Sequence, residues 1–126
     1  YYTTTKGVLE KVKAHVGDVD FAVQPELVSL LSSRNFGRYA DEKGEMKVCF
    51  ISNNDITGGN SGSAMFNSKG ELLGLAFDGN WEAMGSDILY EPKMQRTIGV
   101  DVRYILFMIE KYGKAGNLIK ELNIIN

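Results

Sequence analysis

Two short apolar arms, Ser63-Ala64-Met65-Phe66 and Leu72 to Phe77, are separated only by Asn67-Ser68-Lys69-Gly70 and Glu71. So short a connection cannot carry the chain to a parallel neighbour, which takes a dozen or more residues. The arms are therefore expected to pair as an antiparallel hairpin, with Gly70 available for a positive φ in the turn. Two further runs read as strands beside it. Met46 to Ser52 alternates in polarity, and Gln95 to Val100 is a second candidate strand. Thr3 to Leu9 reads as the start of a strand, because Thr and Val suit a pleated surface.

Between these runs lie loops. Lys11 to Asp20 is polar and carries Gly17, Arg38 to Gly44 is charged, and a long loop runs from Asp78 to about Tyr90. Helical spacing is confined to two places. Pro25 opens a helix in which Leu27, Leu30 and Leu31 share a face. Val100 to Tyr112 is the strongest helix, with Ile105, Met108, Ile109 and Tyr112 on one side. Asn117 to Leu122 reads as a further turn or two. The expected fold is mainly β with C-terminal α: half of a β-barrel over residues 40–100, closed by a helix over 100–112.

Composition narrows the functions. With 126 residues the chain is one domain. Its formal charge of -2 offers no basic surplus for nucleic acid. No apolar run approaches the length of a membrane span. A single Cys and a single His exclude a disulfide framework and a multi-histidine metal site, so no cofactor or metal is expected. The chain begins at Tyr1 without Met, and it is expected to be a processed form or a piece of a longer protein.

The stretch that carries chemistry is Thr57-Gly58-Gly59-Asn60-Ser61-Gly62-Ser63. A serine nucleophile needs a sharp turn that exposes its hydroxyl, and backbone N–H groups aimed at the developing oxyanion. Glycines on both sides of Ser61 permit that turn. In the chymotrypsin-like arrangement the donors are the N–H of the serine and of the residue two before it, here Ser61 and Gly59. The alternative is a Gly/Ser turn between strands. An α/β-hydrolase elbow is set aside, because its glycine pattern is broken here and no His follows Ser61. Thr57 and Asn60 are expected to shape the loop through side-chain-to-backbone bonds.

The run Asn54-Asp55-Ile56-Thr57-Gly58-Gly59-Asn60-Ser61-Gly62-Ser63 resembles the nucleophile loop of bacterial dipeptidyl peptidases of the seven and eleven types. These are chymotrypsin-fold serine exopeptidases with an added helical domain. The resemblance continues through Gly70 to Met84, resumes in Gln95-Arg96-Thr97-Ile98 and Val100 to Tyr104, and includes Phe36-Gly37-Arg38-Tyr39-Ala40. Two departures stand out: Ala64 where the family usually has Pro, and the order Gly85-Ser86-Asp87 in place of Ser-Gly-Asp.

The resemblance implies roles. Ser61 would be the nucleophile, with the N–H groups of Gly59 and Ser61 as the oxyanion hole. Asp78 would hold the free amine of the substrate, so that only a dipeptide reaches past the scissile bond. Gly79 would line the pocket for the residue before that bond, P1. It brings no charge, which implies an apolar or aromatic preference, as in the seven type. Trp81 is expected to pack near the pocket loop. Cys49 reads as a buried small hydrophobe.

His15 precedes Ser61 by 46 residues, too few to hold the barrel that must lie between base and nucleophile. It is expected to be exposed and outside the chemistry. The resemblance therefore places the chain as the C-terminal part of a peptidase, without the upstream barrel, the helical domain and the catalytic His and Asp. Alone it is expected to be inactive, and its uncovered apolar face is expected to drive self-association, with a homodimer as the expected form. Periplasmic or secreted placement follows from the family. The competing readings are a non-catalytic peptide-binding module and a chymotrypsin-like endopeptidase.

Overall fold

The computed structural model describes residues 1–85 and 91–125. Strand β1 (Tyr2–Thr4) leads into helix α1 (Thr5–Ala14), and helix α2 (Pro25–Ser32) follows a single 3-10 turn at Val19–Phe21. A second 3-10 turn, Gly37–Tyr39, precedes β2 (Lys47–Ser52). Then come β3 (Ala64–Phe66), β4 (Leu72–Gly79), a 3-10 turn at Trp81–Gly85, and β5 (Thr97–Asp101). Helix α3 (Val102–Phe107) continues as a π turn over Met108–Tyr112, and α4 is Gly116–Ile119.

The strands form one antiparallel sheet in the order β1-β2-β5-β4-β3. The expected hairpin is β3–β4, with Met65 opposite Gly74 and Gly70 at φ 78°. The Asn67 side chain closes its turn by accepting the N–H groups of Lys69 and Glu71. Gly74 and Gly99 are needed for close approach. A Cβ on Gly74 would stand 2.1 Å from the Val100 carbonyl oxygen, and one on Gly99 would stand 2.7 Å from the Phe50 ring and the Met65 sulfur. Phe50 and Met65 thus lie across the glycines of the central strands.

Several expectations need correction. The run Thr3 to Leu9 is a strand only to Thr4, because from Thr5 the apolar residues Val8, Leu9 and Val12 follow helical spacing. Lys11 to Ala14 is accordingly helix and not loop. The last strand runs through Asp101 and the helix begins at Val102, since the Asp101 carboxylate accepts the Arg103 N–H and caps it. Asp78 and Gly79 are the end of β4, not the start of a loop. The loop's 86–90 stretch, with the Ser86 and Asp87 of the noted departure, lies outside the described residues.

The expected barrel is met only as antiparallel sheet with helix. Among the described residues the sheet stays open, with β1 and β3 as its edges. Helices α1 and α2 lie between β1 and β2, and they share a core with the C-terminal helices. Leu31, Phe36, Tyr39, Met46, Leu106, Phe107 and Ile119 are buried together. Phe107 takes the rings of Phe36 and Tyr39 edge-on at 5.7 and 6.2 Å.

Candidate functional site

The loop between β2 and β3 is tied at both ends. At its base the buried Thr97 hydroxyl donates to the Asn54 carbonyl at 2.7 Å. At its far end the Gly62 N–H donates to the Ala76 carbonyl at 2.7 Å, and the Ala76 N–H returns to the Ser63 carbonyl at 2.8 Å. Between these anchors the backbone reverses. Gly59 and Gly62 hold φ of 95° and 89°, the left-handed region where an L side chain is strained. Asn60 and Thr57 bond reciprocally: the Asn60 N–H donates to the Thr57 carbonyl at 3.2 Å, and the Thr57 N–H donates to Asn60 Oδ1 at 2.9 Å.

Ser61 lies exposed at this turn. Its hydroxyl donates a long bond, 3.5 Å, to the Phe77 carbonyl. Among the described residues, neither the Gly59 N–H nor the Ser61 N–H has an acceptor. The two donors are therefore open to a ligand or to water.

The Ser61–Phe77 contact brings the serine to the end of β4. A bulge between Ala76 and Asp78 leaves Phe77 exposed and sets Asp78 opposite Ile98. The Asp78 side chain is exposed, and one of its oxygens accepts the Gly79 N–H at 2.8 Å. A Cβ on Gly79 would stand 2.8 Å from Ala83 Cβ and 3.4 Å from Ile56 Cγ2. Gly79 is thus bordered by apolar side chains from the serine loop and from the turn after β4. The Ser61 hydroxyl thus reaches the Phe77 carbonyl, next along β4 to Asp78 and Gly79.

Other residues fall elsewhere. His15 follows α1 and stacks on Phe21 with ring centroids 4.0 Å apart. It is half-buried rather than exposed, because the Val19–Phe21 turn folds back onto it. Trp81 does not pack: it is 81% exposed at the start of its 3-10 turn. Cys49 is half-buried, and burial pushes its thiol above the ordinary thiol range, against thiolate formation. Among the described residues no group of three His, Cys, Asp or Glu side chains could hold a metal ion. No described helix is long and apolar enough to cross a membrane.

Asn80 is a structural feature the sequence does not announce. Its Nδ2 donates to Glu82 Oε2 at 2.7 Å and to the Met94 carbonyl at 2.9 Å, while its Oδ1 accepts the Arg96 N–H at 2.8 Å. Its backbone N–H donates to the Arg96 carbonyl, and its carbonyl accepts the Ala83 N–H. Asn80 knots the turn beside Gly79 to the start of β5. The Arg96 guanidinium is spent on the carbonyls of Pro92, Lys93 and Gln95. After Asp78-Gly79, Asn80 reads only as one more turn residue, because its partners at 94 and 96 are remote in sequence.

A family model described as Peptidase S46 matches residues 1–124. The chain is 59% identical over 125 residues to "Dipeptidyl-peptidase 7" of Porphyromonas endodontalis, covering 99% of this chain and 15% of that protein. It is 48% identical over 124 residues to "Asp/Glu-specific dipeptidyl-peptidase" of Capnocytophaga gingivalis, covering 98% of this chain and 17% of that one. The crystal structure of Porphyromonas endodontalis DPP11 in complex with substrate matches at TM-score 0.89 and 44% identity, over 95% of this chain and 17% of that one. The chain thus spans less than a fifth of the length of these relatives. With a family model matched across nearly all of its residues, the chain belongs to the peptidase S46 family.

Proposed function

We propose that this chain is the C-terminal part of the catalytic domain of a serine-type dipeptidyl peptidase, which releases N-terminal dipeptides through an acyl-enzyme at Ser61. One observation carries the reading. Ser61 stands exposed in a pinned turn, flanked by two backbone N–H groups that the described residues leave unpaired. In this reading Ser61 Oγ attacks the P1 carbonyl, and the N–H groups of Gly59 and Ser61 take the negative charge that develops on its oxygen. The C–N bond then breaks, the amine leaves with a proton, and water releases the dipeptide.

Asp78 binds the substrate's ammonium group. One of its oxygens is held by the Gly79 N–H, and the other is left for the ligand. Gly79 opens the P1 pocket. Ile56 and Ala83 beside it are apolar, and the Arg96 guanidinium is occupied by carbonyls. These features favour an apolar or aromatic P1 residue over the acidic one named for some relatives.

The catalytic His and Asp come from an upstream barrel of the parent protein, which also completes the open sheet. Ser61 without that base is a weak nucleophile, so the isolated chain is inactive. Phe66 and Phe77, each 60% exposed, belong to the apolar surface that drives self-association of the chain or homodimerisation of the parent. The parent is periplasmic or secreted, as its family resemblance suggests.

The test is turnover of dipeptidyl coumarin amides with free amines and Leu or Phe at P1. The parent is active, its Ser61→Ala variant is not, and the isolated chain is not. Parental activity that survives Ser61→Ala, or turnover by the isolated chain that Ser61→Ala abolishes, would overturn the corresponding part of this account.

A further inference from the structure

We infer that Asn60 is a positioning residue that fixes the two oxyanion donors, an assignment that rests on the peptidase reading. Gly59 and Ser61 are its immediate neighbours, so its backbone lies between the two N–H groups at issue. Its own bonds span the turn in both directions. Backward, Asn60 Oδ1 accepts the Thr57 N–H at 2.9 Å while the Asn60 N–H donates to the Thr57 carbonyl at 3.2 Å. Forward, the Asn60 carbonyl accepts the Ser63 N–H at 2.9 Å.

The side-chain bond is the part a substitution removes. Asn60 is half-buried, whereas Gly58, Gly59, Ser61, Gly62 and Ser63 are all exposed. Glycine on both sides leaves the backbone dihedrals soft. Three glycines within five residues would let the 58–59 and 60–61 peptide planes rotate, and each rotation would swing one donor away from the reacting oxygen. The Asn60 side chain closes the turn against that freedom. Its effect falls on the transition state, where charge develops, and not on the ground state, where the amine and P1 contacts dominate.

The experiment uses the parent protein with Asn60→Ala. Losing one oxyanion donor outright costs roughly 10²–10³ in kcat. Loosening both without removing either is expected to cost about 10–100-fold. The second-order rate of inactivation by a fluorophosphonate should fall in parallel, because phosphonylation of Ser61 uses the same donors. KM and the inhibition constant of a free-amine product dipeptide should stay within about twofold. A purely structural loss would instead lower the melting temperature without separating kcat from product affinity.

Asn60→Asp keeps an acceptor oxygen for the Thr57 N–H and is expected to be faster than Asn60→Ala in both reactions. A folded Asn60→Ala enzyme with parental kcat and inactivation rate would overturn the assignment. So would Asn60→Asp no faster than Asn60→Ala, or product affinity lost as steeply as kcat. Should the parent neither turn over substrate nor react at Ser61, the peptidase reading itself fails. If it does both and Asn60→Ala matches it, only the role of Asn60 fails.

Discussion

Asp78→Asn is a nearly isosteric change at the proposed amine site, and it separates charge from shape. The Asp78 oxygen that accepts the Gly79 N–H at 2.8 Å is kept by the Asn carbonyl, so the end of β4 should hold its geometry. What is lost is the negative charge and one acceptor facing the ligand. A hydrogen bond to a charged group contributes about 1.5–3 kcal/mol. Asp78 is exposed in this chain, so the lower half of that range applies. About 1.5–2 kcal/mol corresponds to a loss of roughly 10–30-fold in kcat/KM.

The assay compares a free-amine dipeptidyl coumarin amide with its desamino analogue, in the parent protein and in Asp78→Asn. The parent should prefer the free amine by roughly 10–30-fold, and the variant should show almost no preference. The two substrates should converge because the variant loses rate only on the first. The pH profile gives an independent reading. An α-amino group titrates near pH 8, so parental kcat/KM should decline above that pH as the ammonium is lost. Asp78→Asn should flatten this limb. An equal loss on both substrates would refute the reasoning, as would an alkaline limb that survives the substitution.

Other outcomes follow from the same geometry. Gly59→Ala adds a Cβ that meets nothing within 4 Å, so its cost is backbone strain at φ 95°, roughly 1–2 kcal/mol. Gly17, at φ 89° and equally open, is the control: both variants should melt lower, but only Gly59→Ala should reduce kcat of the parent, by about 10-fold or more. Gly74→Ala drives a Cβ to 2.1 Å from the Val100 backbone oxygen and should destabilise the fold by about 3 kcal/mol, read as a large drop in melting temperature. The hydrogen bond from the Tyr39 hydroxyl holds the Glu110 carboxyl below its ordinary 4.5. Its stabilisation is present above that ordinary value and lost as pH falls through the lowered one. Glu110→Gln should therefore lower the melting temperature at pH 7, by an amount that shrinks as pH falls through the lowered carboxyl range.

The hairpin is legible in sequence because its determinants are local: two apolar arms, Asn67 and Gly70. The serine loop is legible for the same reason, since its glycines sit beside the residue they would expose. The start of the chain is not. Thr3, Thr4 and Thr5 share a β-favouring side chain, yet Thr5 begins a helix while its N–H pairs with the Met46 carbonyl, a partner far along the chain. The boundary at Asp101 is ambiguous because one residue both ends β5 and caps α3. The placement of Asp78 in a strand depends on pairing with β5, and the Asn80 knot depends on Met94 and Arg96. These are long-range contacts that no local pattern encodes. Trp81 shows the converse: a large aromatic suggests packing, but among the described residues nothing covers it.

The central claim is that Ser61 is a nucleophile held ready here and activated by groups outside the chain. Peptide mapping after treatment with a fluorophosphonate, on the parent protein and on this chain in parallel, tests it most directly. The account predicts covalent labelling of the parent at Ser61 and little or none of the isolated chain. A folded parent that takes up no label at Ser61 would contradict the nucleophile. Strong labelling of the isolated chain would contradict the separation from its base and return attention to His15.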